Sequence, residues 1–469
     1  MLRTRKFCLV LLSLVLIIAF YTSAFAVDVK FSGSYYVAGA YLDKANLVKD
    51  TTAANTALGS TAFYFQRLQL STEFVIAPGA SLITRANIME RVWGGIRTPP
   101  GTTLDNVDPN FTSSAATRAE NQNIGLDYAY LKLATPIGLI MAGYMSDGVW
   151  GTIFHNNDTA AANIIYVLPV DKWIFGIGAV KVIDNSYSSS NLFSTNTDVD
   201  SNKYYSLVIY QNKNFEGGII YVYISDASNR NISDLRTKFH IIEPYFKAIV
   251  GPVKIQAELD YYFGDFIKFD KIPDGFSDQK IDSLTGWIDA VATFGKFYIG
   301  GTFAYSQGQG TDDSTLNEWA SSGKDWSPTL IMWNSDRNYW LGNINGNGTS
   351  NFKYAMTNAF FYQLKAGVMP TDKLDIGASV AFAHADTLND LTYGQAVIGT
   401  SIGLTSKAGY VSKNYGWEID VIGTYKITDN LSYMAGFGYL FTGDYFKATS
   451  STNSVTDDYL LINKLTFTF

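Results

Sequence analysis

The chain has 469 residues, of which 15% are aromatic and 16% are charged, and its formal net charge is −7. An acidic balance without a basic patch argues against a nucleic-acid-binding protein. The single cysteine excludes an intramolecular disulfide, although the length alone would allow about three soluble domains.

Residues 1–26 are typical of a secretory signal peptide. Three cations within residues 3–6 precede an almost unbroken apolar run, residues 8–21, and residues 24–26 have the small-x-small pattern of a cleavage site. An uncleaved anchor is the weaker alternative, because about 14 apolar residues fall short of the roughly 20 that span a bilayer as a helix. Cleavage would start the mature protein at Val27, remove the only cysteine and change the net charge from −7 to −10.

The remaining chain, residues 27–469, is predicted to form a single domain. It contains no Pro-rich or charged linker, no long helical pattern and no shift in composition that would mark a boundary. Many Tyr and Phe residues without helical periodicity fit a transmembrane β-barrel, in which an apolar outer band is flanked by aromatic girdles.

Alternating polar and apolar residues predict strands with one wet face and one apolar face. From residue 253 onwards, apolar residues alternate with Lys254, Gln256, Glu258 and Asp260, so that one row would face lipid and the other water. The same alternation places further polar residues on inner rows: Arg67, Gln69, Glu73, Arg85, Lys365, Glu418, Asp420 and Lys426. These residues are the candidate pore lining. Their mixed charges favour polar solutes without specifying one, and the alternative is that they only keep the inner wall solvated.

Short turns rich in Gly, Pro, Asn and Asp separate the predicted strands in pairs. Eight such turns lie at residues 77–79, 135–138, 169–172, 212–214, 250–252, 294–296, 370–373 and 427–430. Longer polar segments, such as 94–123 and 185–202, join the other strand ends. With the first and last strands added, the pattern predicts an all-β, antiparallel up-and-down transmembrane barrel of about 18 strands, with 16 as the alternative. The short turns would be periplasmic and the long loops extracellular.

The last eleven residues alternate without a turn after them, and Leu465, Phe467 and Phe469 share the apolar row. This ending resembles the closing strand of Gram-negative outer-membrane barrels, which the assembly machinery recognises in that family. The alternative is an edge strand of a soluble β protein.

Signal peptide, alternating hairpins and terminal Phe469 together resemble the Gram-negative outer-membrane porins. Residues 129–143 and 300–305 are also similar to 18-stranded porin-like proteins, including the alginate-export type, although the mixed lumen departs from the strongly basic pore of that type. The resemblance implies a water-filled channel for passive diffusion of small polar solutes or ions. It implies outer-membrane lipid and the assembly machinery as partners, a homotrimer as one arrangement, and no cofactor, metal, nucleic acid or catalytic residue. An energy-coupled transporter is disfavoured because the first strand begins almost at the cleavage site and leaves no room for a plug domain.

Other functions remain open from the sequence. The barrel would also suit a structural or adhesive surface protein, or a sheath around a partner such as a cytochrome. An enzyme is disfavoured, because the three histidines are not gathered with Ser or Asp: His155 is predicted in an outer loop, His384 lies near a strand end, and the direction of His240 is undetermined.

The longest connection, residues 308–354, is unusually apolar for a loop. It contains Trp319, Trp326, Trp333 and Trp340. One hypothesis is that the segment folds into the mouth and narrows the pore as a constriction or lid. The other is that it extends the strands, residues 329–333 included, above the membrane and covers a neighbouring loop.

Overall fold

The structure, a computed structural model, describes residues 28–52, 56–94, 124–185, 198–273, 276–311, 314–348, 351–352, 354–389 and 407–469. The predicted signal peptide and most of the predicted connections 94–123 and 185–202 therefore lie outside the described residues.

Long strands make up most of the described chain. The first eleven are β1 (Asp28–Leu42), β2 (Thr61–Ala77), β3 (Ala80–Val92), β4 (Ile124–Thr135), β5 (Gly138–Asp147), β6 (Thr159–Val170), β7 (Trp173–Ile183), β8 (Ser201–Gln211), β9 (Phe215–Asp226), β10 (Leu235–Val250) and β11 (Val253–Phe269). They are followed by β12 (Gln279–Phe294), β13 (Phe297–Ser306), three two-residue strands, β14 (Thr315–Leu316), β15 (Ile344–Asn345) and β16 (Asn351–Phe352), and then β17 (Ala359–Thr371), β18 (Leu374–Ala385), β19 (Asn414–Lys426), β20 (Leu431–Thr442) and β21 (Asp458–Thr468). The helices within the described residues are α1 (Arg230–Ser233), α2 (Ser335–Leu341) and a 3-10 turn (Asp444–Lys447). Among the described residues, no helix is both long and apolar enough to cross a membrane.

The eighteen long strands close into a barrel. Each pairs antiparallel with its neighbours in chain order, and β1 pairs with β21, so that Ser34 lies opposite Thr468 and Leu42 opposite Leu460. Closure matters because an unpaired backbone group costs several kcal/mol in hydrocarbon, so a sheet with free edges is excluded there. The predicted antiparallel 18-stranded barrel is confirmed.

All eight predicted short turns occur, and all lie at the same end of the barrel. Four of them contain a glycine with positive φ, where a side chain would be strained; Gly251, for example, has φ +59° and Gly295 has φ +58°. The connections at the opposite end are longer, as predicted for the side that faces the exterior.

The outer face of the barrel is apolar and carries a belt of aromatic rings near the long-loop end. Phe303, Tyr362, Phe382, Trp417 and Phe441 lie opposite one another on five neighbouring strands. Such belts sit at the membrane–water interface of transmembrane barrels.

Two of the histidines belong to this outer belt. His240 stacks on Phe263 with the ring centroids 5.1 Å apart, and His384 stacks on Phe360 at 5.0 Å. Both therefore face away from the lumen, which the sequence left undetermined for His240.

One residue of the predicted outward rows points the other way. Strict alternation with the outward Trp417 predicts that Tyr415 also faces outward, but Tyr415 is 3% exposed and faces the barrel interior. The register between β18 and β19 shifts at this point, and Gly416 has φ +127°. A β-bulge adds one residue to the strand and so reverses the side on which the preceding residue lies.

Candidate pore and its constriction

The predicted pore-lining residues share the inward rows, but they lie in different surroundings. Arg67, Gln69 and Arg85 line a cavity of about 740 Å³, next to β2, β3, β4 and β21. Gln256, Lys365 and Asp420 line a second cavity of about 440 Å³. The two cavities share Asp325 and Ser327 as lining residues.

The other candidates lie outside these two cavities. Glu73, Lys254 and Lys426 lie near the short-turn end of their strands and are partly or largely exposed. Glu258, Asp260 and Glu418 are 3%, 0% and 0% exposed, because chain segments inside the barrel cover them. Alternation identified the inward face of these strands, but a period of two carries no information about what covers that face.

Ion pairs hold the charges that line the larger cavity. The Arg85 guanidinium lies 2.6 Å from Asp158 and 3.3 Å from Asp127, and Lys464 lies 2.8 Å from Asp336. Burial alone would raise the pKa of Asp158, but hydrogen bonds from Tyr128 and Arg85 lower it below its ordinary value. The wall of this cavity therefore presents both signs of charge at fixed positions.

The smaller cavity has a more acidic wall. Asp289, Asp325, Asp375 and Asp420 line it, against the single cation Lys365. Lys365 forms an ion pair with Asp289, which also accepts a 2.6 Å hydrogen bond from the Thr302 hydroxyl. The positive charge is thus neutralised locally, and the remaining carboxylates leave this side of the lumen negative.

Much of the connection between β13 and β17 lies inside the barrel. We call residues 321–348 the luminal segment. Trp326, Trp333 and Trp340 are at most 2% exposed. Trp326 and Trp333 both pack edge-on against Phe361, at 5.4 and 5.6 Å. These contacts place large apolar groups of the segment on the inner wall.

The far end of the luminal segment reaches β1 and β2. The Trp340 ring stacks on Phe65 at 4.6 Å, and its indole N–H donates to the Tyr36 hydroxyl at 3.0 Å. Because Tyr36 and Phe65 belong to β1 and β2, whereas Phe361 belongs to β17, the segment lines the inner wall from β17 round to β2.

Glu418 anchors the turn in the middle of the segment. Its two carboxylate oxygens accept hydrogen bonds from the backbone N–H groups of Ile331 and Met332, at 2.6 and 2.7 Å. The side chain of Gln363 donates to the carbonyl oxygen of Pro328 at 2.7 Å. Glu418, a predicted pore-lining residue, and Gln363 therefore hold the segment by its backbone.

The first part of the connection behaves differently. Its short strand β14 pairs in parallel with β12 and lengthens the wall, and Trp319 is 38% exposed and packs on Phe266 at 5.0 Å. Residues 329–333, which one hypothesis assigned to an extended strand, form a bend inside the lumen. Elements of both hypotheses thus occur in successive parts of the same connection.

Helix α2 lies inside the lumen and was not predicted from the sequence. The Asn334 side chain caps its first turn by accepting from the Arg337 N–H at 2.8 Å. Arg337 itself is 3% exposed. Burial lowers the pKa of its guanidinium to about 10, and Asp458 and Glu418 offset part of that effect. The Asn-Ser-Asp-Arg sequence at 334–337 was a usable signal for a helix start.

A second connection, residues 148–158 between β5 and β6, also turns inward; we call it the inner loop. Phe154 is fully buried against Trp287 and Trp326, at 5.7 and 5.2 Å, and the Thr152 N–H donates to Glu258 at 2.6 Å. His155, predicted in an outer loop, instead lies against the inner wall. Several large apolar residues in a short connection were the available signal.

The C-terminal candidates lie on the outer face at the short-turn end. Leu465, Phe467 and Phe469 are 40–42% exposed, and the rings of Phe467 and Phe469 stack at 5.6 Å. Phe469 exchanges two backbone hydrogen bonds with Gly33, at 2.8 and 3.1 Å. The last residue thus takes part in closing the barrel.

Comparison with known proteins gives structural matches only. No protein-family description and no curated protein sequence matches the chain. The chain is similar in structure to the outer membrane protein OpdK from Pseudomonas aeruginosa (12% identity, 94% of this chain and 99% of that one, TM-score 0.47). It is also similar to a BenF-like porin from Pseudomonas fluorescens Pf-5 (11% identity, 94% of this chain and 99% of that one, TM-score 0.48). A further match is OprD from Pseudomonas aeruginosa (8% identity, 94% of each chain, TM-score 0.48). Since these TM-scores lie below 0.5, the functional case depends on the barrel's own geometry.

Proposed function

We propose that the protein is a channel of the Gram-negative outer membrane through which small polar solutes or ions diffuse passively. The observation that carries this proposal is the combination of a closed barrel, an apolar outer face and a polar lumen that contains cavities of about 740 and 440 Å³. Barrels of 16 to 18 strands typically enclose an aqueous channel. The mixed charges on the wall favour solutes that carry charge or strong dipoles.

The luminal segment is the proposed constriction. Trp326, Trp333 and Trp340 fill space between β17 and the β1–β2 side of the wall. Solutes would then pass beside the segment, along the polar walls of the two cavities. Trp319 lies outside this constriction, because it packs at the wall extension.

A sheath for a cytochrome is the less favoured function. A sheath needs an open lumen for its partner, whereas here the inner loop and the luminal segment occupy part of it. A structural or adhesive role would rest on the long loops. A homotrimer, recognition of Phe469 by the assembly machinery and removal of residues 1–26 remain predictions that accompany the channel.

The test is single-channel conductance of the refolded protein and of a variant in which residues 311–348 are replaced by a short Gly-Ser link. We expect the wild type to conduct and the deletion to conduct more per channel, with the barrel still folded in a heat-dependent gel shift. A folded wild type without conductance would reject the channel. Unchanged conductance in a folded deletion variant would reject the constriction alone.

A further inference from the structure

Inside the barrel, two acidic side chains face each other on neighbouring strands. Ile242 pairs with Tyr261 and Tyr245 with Glu258, so Glu243 and Asp260 lie directly opposite across β10 and β11. They are 7% and 0% exposed. Like charges directly opposite in a sheet are destabilising, and burial increases the cost. A cation placed between the two carboxyl groups would offset this cost.

His155 of the inner loop completes a cluster with these two carboxylates. One ligand atom from each of His155, Glu243 and Asp260 lies within 4.8 Å of the others. The Nδ1 atom of His155 is 3.2 Å from an Asp260 oxygen. Yet neither that nitrogen nor either Asp260 oxygen has a hydrogen bond of acceptable geometry within the described part of the chain. The three groups converge on one point, which is the arrangement expected around a shared ion.

The other ring nitrogen of His155 is already engaged. Its Nε2 atom lies 3.0 Å from the Tyr262 hydroxyl, and the two rings stack at 6.0 Å. Metal-binding histidines commonly have their second nitrogen fixed in this way, which orients the first nitrogen towards the ion.

We propose that His155 Nδ1, Glu243 and Asp260 bind a divalent transition cation of the Zn²⁺ class. Three protein ligands with one nitrogen suit such an ion with an open position for water, whereas Ca²⁺ and Mg²⁺ prefer oxygen ligands throughout. Tetrahedral ligands at zinc distances lie about 3.4 Å apart, close to the spacing of His155 and Asp260. An adjoining cavity of about 270 Å³, lined by His155 and Glu243, provides access and room for water.

The competing cation is a proton on His155. A protonated imidazole supplies one positive charge to three buried carboxylates, whereas a divalent ion supplies two. The nearby Lys203 is paired with Asp147 and adds no net charge. A divalent ion therefore offsets more of the buried negative charge than a proton on His155 does.

The experiment is titration of chelator-treated, refolded barrel with ZnCl₂ by calorimetry, and with CoCl₂ by visible absorption. We expect one saturable site per chain and visible Co²⁺ bands. His155→Ala, Glu243→Gln and Asp260→Asn should each weaken binding at least tenfold, each checked for folding by heat-dependent gel shift. The matched control, His240→Ala on the outer belt, should bind as the wild type does.

Two results would overturn the proposal. One is a folded wild-type barrel without one-to-one binding, which would assign the charge to the His155 imidazolium. The other is equal binding by the wild type and those of the three variants that fold, which would place the ion elsewhere. Channel conductance is not part of the readout, so the metal site and the channel are tested separately.

Discussion

Removing the carboxylate of Glu418 should release the luminal segment from the wall. A hydrogen bond contributes about 0.5–1.5 kcal/mol net. Glu418 accepts two, from Ile331 and Met332, so Glu418→Ala should weaken docking of the segment by about 1–3 kcal/mol. That corresponds to a roughly 5- to 150-fold larger undocked population. Glu418→Gln keeps one acceptor oxygen, and its effect should be roughly half as large in free energy.

The assay is single-channel recording in planar bilayers. Glu418→Ala should give higher mean conductance and larger open-channel current fluctuations, and Glu418→Gln an intermediate result. The matched control is Glu73→Ala, because Glu73 is an inward acid whose ion pair, at 3.7 Å, is with Lys30 on the neighbouring strand. All three variants should retain the gel shift of a folded barrel. A folded Glu418→Ala protein with wild-type conductance and fluctuations would refute the anchoring role.

Three further outcomes are expected. A cysteine at Gln256 should react with a small water-soluble thiol reagent, whereas cysteines at Ile255 and Glu258 should not. Ile255 faces outward, and Glu258 lies under the inner loop. Equal labelling of Gln256→Cys and Ile255→Cys would contradict the register. Deleting Phe469 removes two backbone hydrogen bonds at the closing strand and should lower the folded fraction in the gel-shift assay more than deletion of a loop residue does. Gly416→Ala should destabilise the barrel by about 1–3 kcal/mol, measured by urea unfolding. The reason is that Gly416 has φ +127° and the new methyl group would lie 2.1 Å from the Phe441 carbonyl oxygen. Unchanged stability would argue against the bulge.

The barrel could be predicted from the sequence because its signals are local. Each strand carries its own alternation, and each short turn carries its own Gly, Pro, Asn or Asp, so the number of strands and the inward faces follow without knowledge of contacts. The inward direction of Tyr415 could not be predicted in this way, because a bulge at the next residue changes the period within the strand.

The interior could not be predicted in the same way. Glu418 contacts Met332, which is 86 residues away in sequence, and Asp260 contacts His155, which is 105 residues away. Alternation carries no information at that range. The tryptophans of the long connection indicated that it packs on something. Only the fold shows that Trp340 reaches β1 and β2 while Trp319 stays at the wall extension.

The segment packed inside the barrel has a mechanical consequence. Phe361 on β17 and Phe65 on β2 are joined through a packed interior chain, which resists compression as close-packed protein does. The stretch of wall from β17 to β2 is therefore backed by a second layer of protein. It should deform less than an unlined stretch when bilayer tension changes, and the bore beside it should widen in discrete steps, when a contact of the segment is lost, rather than gradually.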